Sequence, residues 1–475
     1  MMRGIGRIKL SAAAVAMAAI LAVMGTALPA MAAEAGGEAQ EVTTEAAAEG
    51  ESGSGAQTAW PEDPSITSTA GCLMDAKTGA VLYGKAMDEK RYPASITKVL
   101  TVLLALENCN LDDEVIMDET GVAYAVSGSS NLYTVVGEEF TVRELIYGTM
   151  LKSANDMATQ LGKHIGNGSM DTFLQMMNDR AAELGCTGTH FNNACGMPDE
   201  NHYTTAHDMA RIMQAAVCNH DFCAVVSKPS YTISASNIYA AREVTSHNLL
   251  LVHPEFHYPG IIGGKTGYTD AAGQTLVNGA LRDGVTMVVC TMQAPDVASA
   301  AYDNIKLLDF GYDKFEEVRA IPEDKVVSGG ILTVPKGVTP DDCEVATELV
   351  VVDSQACERW DYTYADHFVG SAVVTKETAA VLRGEVPEET ETGAAPAAEE
   401  NENSAEETGT GMVAQSGALP TIMPDREMQA SVNREEMDAR FEKIGKTIIG
   451  ISLGFIVIFG LFLIGSIGRA IENRD

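Results

Sequence analysis

The stretch Tyr92-Pro93-Ala94-Ser95-Ile96-Thr97-Lys98, continuing as Val99-Leu100-Thr101-Val102-Leu103-Leu104-Ala105-Leu106, decides how this chain is read. A hydroxyl and an amine stand three residues apart where an almost wholly apolar helix begins. Three residues is close to one helical turn, so Ser95 and Lys98 leave the same face as neighbours. Pro93 presets the backbone at the start. Ser95 then falls in the first turn, among free backbone N–H groups and the positive end of the dipole. The run from Val99 to Leu106 is too apolar for a surface helix and predicts a buried one that holds the pair rigidly. A serine beside an amine whose charge can be suppressed is a nucleophile with its base. Ser-x-x-Lys is short enough to arise by chance in a chain of 475 residues, so the pair needs companions.

That length allows two or three domains, and 46% hydrophobic residues allow a sizeable core. The net charge of −34 is concentrated in two places. Residues 34–63 carry eight acids and residues 385–410 carry nine, with no Lys or Arg in either stretch. Half of the charge therefore lies in segments of Ala, Gly, Glu, Ser and Thr that cannot bury enough apolar area to order themselves. They read as solvated linkers, and nucleic acid is excluded as a partner.

The two ends predict an address. Arg3, Arg7 and Lys9 precede an apolar run from Leu10 to Leu28 and the small-residue site Ala30-Met31-Ala32, the pattern of a secretory signal over 1–33. Near the C-terminus, Thr447 to Ile467 holds no charge and is long enough to cross a bilayer. Arg434, Arg440, Lys443 and Lys446 outnumber Arg469 and Arg474, so the positive-inside count opposes the signal. The signal takes precedence because it commits the chain to export before the span is made. The expectation is a single-pass protein of the cell membrane with its catalytic part outside the cytoplasm.

Nine cysteines lack Cys-x-x-Cys spacing and are scattered like small apolar residues, so most are expected reduced and buried, with one or two disulfides left open. Ala70–Asp75 and Ala80–Tyr83 read as strands around a turn. Thr141 caps a helix from Val142, with Glu144 completing a capping box. Further helices are predicted to about His164, over 169–185, 205–218 and 298–310, and strands over 231–235, 261–265, 274–280 and 285–292. Strands at both ends with helices between predict one antiparallel sheet beside a helical lobe, over 65–313. Short strands separated by Gly, Pro and Asp then predict a small all-β domain over 314–386. An acidic linker with an approach helix (387–443), the span (444–468) and a cytoplasmic tail (469–475) complete the chain, after the first linker over 34–64.

Two polar triplets complete what Ser95 and Lys98 begin: Ser153-Ala154-Asn155, and Lys265-Thr266-Gly267 on the strand Ile261–Thr269. Lys-Thr-Gly also occurs at 77–79, where it is good turn chemistry, so order and setting discriminate: helix start, loop, late strand. With these the chain resembles the low-molecular-weight penicillin-binding proteins, the serine D-alanyl-D-alanine carboxypeptidases. The likeness extends to Asn192-Asn193-Ala194-Cys195-Gly196-Met197-Pro198, to His202-Tyr203-Thr204-Thr205-Ala206-His207-Asp208 and to Gly264–Thr269. It departs mildly at Ala194–Met197, where the family often has His-Gly-Leu, and at Gly263-Gly264.

The resemblance implies an α/β transpeptidase-like fold, no metal or cofactor, and peptidoglycan stem peptides ending in D-Ala-D-Ala as substrate. β-Lactams are implied as acylating inhibitors and the cytoplasmic membrane as an anchor. Ser95 would be the nucleophile and Lys98 its base, with a pKa lowered by burial and by the nearby Lys265. Ser153 would relay a proton and Asn155 orient the substrate amide. Lys265 and Thr266 would receive the terminal carboxylate, Gly267 would admit the substrate as an added strand, and the backbone N–H groups of Ser95 and Tyr268 would form the oxyanion hole.

Other readings stand beside this one. A β-lactamase of the same fold would need a deacylating base, and Glu183, Glu200, Glu243 and Glu255 lack the Glu-x-x-x-Asn setting. A non-catalytic wall-binding or sporulation scaffold would have no use for Lys98 beside Ser95. As metal sites, His253 and His257 are separated by Pro254, and Cys218, His220 and Cys223 read better as a helix end with buried thiols. His202, His207 and Asp208 are expected to cap and brace a helix, and Asp156 to be an N-terminal helix acid.

Overall fold

A computed structural model describes residues 59–385. The predicted signal, both acidic linkers beyond those bounds, the approach helix, the span and the tail lie outside the described residues. Among the described residues no helix is long and apolar enough to cross a membrane.

The first two strands, β1 (Ala70–Asp75) and β2 (Val81–Lys85), lead into helix α1 (Lys98–Asn108). A ribbon of β3 (Glu114–Ile116) and β4 (Glu139–Thr141) brackets the short α2 (Glu119–Val122). Helices α3 (Val142–Met150), α4 (Asn155–Ile165), α5 (Met170–Glu183), α6 (Ala206–Val217) and α7 (His220–Val226) form the lobe. The capping box of Thr141 and Glu144 is present at α3. A second ribbon, β5 (Ser230–Ile233) with β6 (Arg242–Thr245), and the single turn α8 (Leu249–Val252) precede the late strands. These are β7 (Ile261–Thr269), β8 (Gly273–Arg282) and β9 (Val285–Ala294), followed by α9 (Val297–Lys314).

The chain ends close one sheet in the order β2-β1-β9-β8-β7, antiparallel throughout. Two-residue periodicity sorts its side chains between two cores. Cys72, Met74, Val288, Cys290 and Met292 face the helical lobe, whereas Leu73, Met287 and Val289 face α9. The β8–β9 hairpin turns through Asp283 and Gly284, both with positive φ, the twist-matched arrangement for a two-residue loop. The sheet is thus covered on both faces, which is why β9 reads as a nearly continuous apolar run.

Past Lys314 the chain passes directly into β10 (Phe315–Arg319), then β11 (Ser328–Gly329), β12 (Ile331–Pro335), β13 (Glu344–Val352), β14 (Gln355–Tyr364) and β15 (His367–Thr375). Strand β10 pairs with β12, and β11-β15-β14-β13 make a four-stranded sheet. Leu332, Val334, Val369 and Val374 anchor a separate core. The segment closes on a helix, α10 (Lys376–Leu382), capped by Thr375, where only strands had been expected. The turn after β1 meets this segment through Thr78 and Thr333, whose hydroxyls lie 2.7 Å apart, and through a Lys77–Glu317 ion pair.

Candidate active site

The turn that carries Ser95 is tighter than a helix start. Ala94–Thr97 form a 3-10 turn, and Lys98 is the first α-helical residue. In a 3-10 turn residues i and i+3 eclipse, which aligns Ser95 and Lys98 more closely than an α-helical turn would. Ala94 adopts φ 51°, left-handed and unusual for a residue with a Cβ. Ser95 is half-buried, while Lys98 is fully buried at the head of the apolar α1.

Three oxygens surround the Lys98 amine: Ser95 Oγ at 2.9 Å, Asn155 Oδ1 at 2.7 Å and the Cys195 carbonyl at 2.7 Å. As an ammonium it donates to all three. As a neutral amine it has two N–H groups and one lone pair. Asn155 Oδ1 and the Cys195 carbonyl can only accept, so they take both N–H groups. The lone pair is left facing Ser95, the one partner with a proton to give. Burial lowers the Lys98 pKa to about 8, opposed by the Asp156 carboxylate, so the neutral form is accessible near neutrality.

Burial is the main cause of the lowering at Lys98, and Lys265 is held well below its ordinary value by burial and then by the Lys98 charge, a repulsion the two amines share. Lys265 is buried on β7 and donates to the Thr266 carbonyl at 2.7 Å.

Strand β7 lies directly against the nucleophile turn. A Cβ on Gly267 would come within 2.8 Å of the Ser95 backbone nitrogen and 2.4 Å of Thr275 Oγ1. Thr275, opposite Gly267 on β8, donates to the Pro93 carbonyl at 2.9 Å. The late triplet and the early serine are therefore contiguous. Thr266 is half-buried beside them, and Tyr268 is 58% exposed with its hydroxyl on Asp270.

The middle triplet sits at the start of α4. Ser153 is buried with φ 59°, and Asn155 opens the helix. Asp156 does more than stand at a helix N-terminus. Its carboxylate accepts from the backbone of Leu132 and Thr134 and from the Thr134 hydroxyl, holding the Gly/Ser-rich loop, whose Ser130 carbonyl takes the Asn155 N–H at 2.8 Å. The structure thus brings Ser95, Lys98 and Asn155 within hydrogen-bond reach, sets Gly267 against Ser95, and couples Lys265 electrostatically to Lys98.

Sequence reasoning missed the Cys195 carbonyl, because a backbone acceptor has no residue identity to read. Asn193, in the same loop, belongs to the stretch that carries the family likeness, and nothing in its spacing points to a role. Glu183 pairs with Arg180 and Glu255 with Tyr302, both at the surface. Cys223 donates its thiol to the Val217 carbonyl, and among the described residues no cluster of three His, Cys, Asp or Glu could hold a metal ion.

Comparison with known proteins agrees with this geometry. A family profile described as D-alanyl-D-alanine carboxypeptidase matches residues 57–296. A D-alanyl-D-alanine carboxypeptidase from Streptomyces sp. strain K15 is 33% identical over 261 residues, covering 52% of this chain and 88% of that one. DacB2 of Mycobacterium tuberculosis is 35% identical over 222 residues, covering 46% of this chain and 72% of its own. The solved Streptomyces K15 DD-transpeptidase superimposes with a TM-score of 0.50 at 31% identity, over 53% of this chain and all of that one. Penicillin-binding protein 5 from Haemophilus influenzae, at 24% identity and a TM-score of 0.56, shares the fold over 66% of this chain and 98% of its own. Fold, site and relatives place the chain in the D-alanyl-D-alanine carboxypeptidase family of serine peptidases, among the penicillin-binding proteins.

Proposed function

We propose that the protein is a membrane-tethered DD-carboxypeptidase that trims the terminal D-alanine from peptidoglycan stem peptides through an acyl-enzyme on Ser95. The observation that carries this is the Lys98 amine, held so that its lone pair meets Ser95 Oγ. In the first step Lys98 takes the Ser95 proton while Oγ bonds to the carbonyl between the two D-alanines. The C–N bond then breaks, and the leaving amine takes the proton from Lys98 through Ser153, which returns Lys98 to its neutral form. The Ser95 and Tyr268 N–H groups stabilise the oxyanion, and Lys265 with Thr266 holds the substrate's carboxylate. Water attacks the ester, Lys98 accepts its proton, and the released Ser95 oxygen recovers one.

A β-lactam presents a strained amide to the same oxygen and forms a comparable ester. The solved Streptomyces relative is described as a DD-transpeptidase, and an acceptor amine in place of water gives that outcome from the same intermediate. The tether rests on the apolar run 447–467 and the signal pattern at the N-terminus. A linker of the length of 387–443 has a typical reach on the order of 40 Å, which lets the enzyme sample wall away from the bilayer.

The test is a fluorescent penicillin. Native protein becomes labelled at Ser95 and releases D-alanine from a pentapeptide ending in D-Ala-D-Ala. Ser95→Ala, still folded by circular dichroism, does neither. Undiminished labelling of Ser95→Ala overturns the assignment.

A further inference from the structure

The loop from Asn193 to His202 reaches the site through the Cys195 carbonyl on Lys98 and through Met197 beside Asn155, while its His202 end is buried behind the Ser95 turn. The Asn193 amide oxygen accepts from the backbone N–H groups of Cys195 (3.2 Å), Gly196 (2.7 Å) and Met197 (3.0 Å). That single acceptor folds the loop so that the Cys195 carbonyl meets the Lys98 amine. Gly196, at φ 87°, lies so close beneath the nucleophile turn that a Cβ there would fall 1.8 Å from the Ala94 carbonyl oxygen.

His202 carries the same loop to the other side of the turn. It is 1% exposed. Its Nδ1 faces two donors, the Asn192 N–H at 3.1 Å and the Asn193 amide at 3.3 Å, so Nδ1 accepts and Nε2 carries the hydrogen. Nε2 donates to Thr97 Oγ1 at 2.9 Å, and Thr97 in turn donates to the Ala94 carbonyl at 2.9 Å. Burial lowers the His202 pKa to about 4, so the neutral imidazole persists through the working range. From the Asn192 N–H through His202 to Thr97 each hydrogen has one direction open to it, and the chain ends on the left-handed Ala94 that precedes Ser95.

We propose that Asn193, His202 and Thr97 are positioning residues, a buried strut that keeps the Ser95 oxygen in register with the Lys98 lone pair. The inference rests on the reading of Ser95 as nucleophile. Thr97 and His202 are buried away from substrate, so their effect belongs to the acylation step and not to binding. Misplacing reacting atoms by tenths of an ångström to one ångström costs about tenfold to a hundredfold in rate.

The experiment measures penicillin acylation in two parts, the non-covalent dissociation constant and the first-order acylation rate. It compares native protein, Thr97→Val and Thr97→Ser, well below their unfolding midpoints and per acylable molecule. Thr97→Val should acylate about tenfold or more slowly with its dissociation constant within about threefold of native, and Thr97→Ser, which keeps the hydroxyl, should stay near native. If Thr97→Val does not fold, Thr97→Val/His202→Phe replaces it, since exchanging both polar partners for apolar groups removes most of the desolvation penalty. An acylation rate for the valine variant within fivefold of Thr97→Ser overturns the strut, as does a loss confined to the dissociation constant. Failure of the native protein itself to acylate at Ser95 would instead sink the functional reading.

Discussion

Lys98 is a cation's side chain placed where a cation is costly. Burial moves its titration from the ordinary lysine range to about 8, and the direction fixes the pH response. Below that value the amine is charged and its lone pair is gone. Above it the base form dominates. Acylation by penicillin is therefore expected to rise about tenfold per pH unit below the midpoint and to level off above pH 8, measured by stopped-flow labelling across pH 5.5–9.5. Lys98→Met should abolish the pH-dependent limb along with the rate. A profile flat through pH 8 in the native protein would remove Lys98 from the role of base. At this scale the sequence showed which side chains meet: the resemblance carried by the three triplets singled out Ser95, Lys98, Asn155 and Lys265, and the fold gathers them. The Cys195 carbonyl could not be singled out, and neither could the direction of the His202 hydrogen, which depends on which two donors the fold brings to Nδ1.

Among the elements, β7 and the Ser95 turn lie in contact only because one methyl is missing, at Gly267. The site of a Gly267 Cβ is occupied from two sides, by the Ser95 backbone nitrogen and by Thr275 Oγ1, and a backbone nitrogen in a braced turn cannot swing aside. Gly267→Ala is expected to destabilise the protein by about 1–3 kcal/mol, the usual cost of overpacking, and to suppress penicillin labelling by separating the strand from Ser95. Thermal unfolding and labelling on the same sample check both. A variant with native labelling would show that the turn yields at little cost. Some elements were readable from caps and strand pattern: α3 from its capping box, and β8 and β9 from the strand patterns at 274–280 and 285–292. The helix α7 was not, because seven residues give too little periodicity to register. The 3-10 geometry of Ala94–Thr97 was hidden as well. It comes from the packing of Gly196, Gly267 and Thr97 around Ala94, and local sequence carries no trace of those contacts.

Over the whole molecule, the cysteines behave as the scattered spacing implied. All nine are reduced, and six are buried: Cys72, Cys186, Cys195, Cys223, Cys290 and Cys357. The disulfides left open by the sequence do not form. Burial pushes Cys72, Cys186 and Cys223 up to about 12 and Cys290 well above its ordinary range, so thiolate is scarce at these sites. Brief treatment of native protein with iodoacetamide, followed by peptide mass spectrometry, should modify Cys109, Cys218 and Cys343, with the other six reacting only after denaturation. Rapid alkylation of Cys290 in native protein would contradict the packing between the two sheet faces.

Those sulfurs act as hydrocarbon. The fold consequently owes nothing to an oxidant or to an isomerase: no pairing has to be chosen and no mispairing has to be undone. Packing alone decides when the described fold is finished.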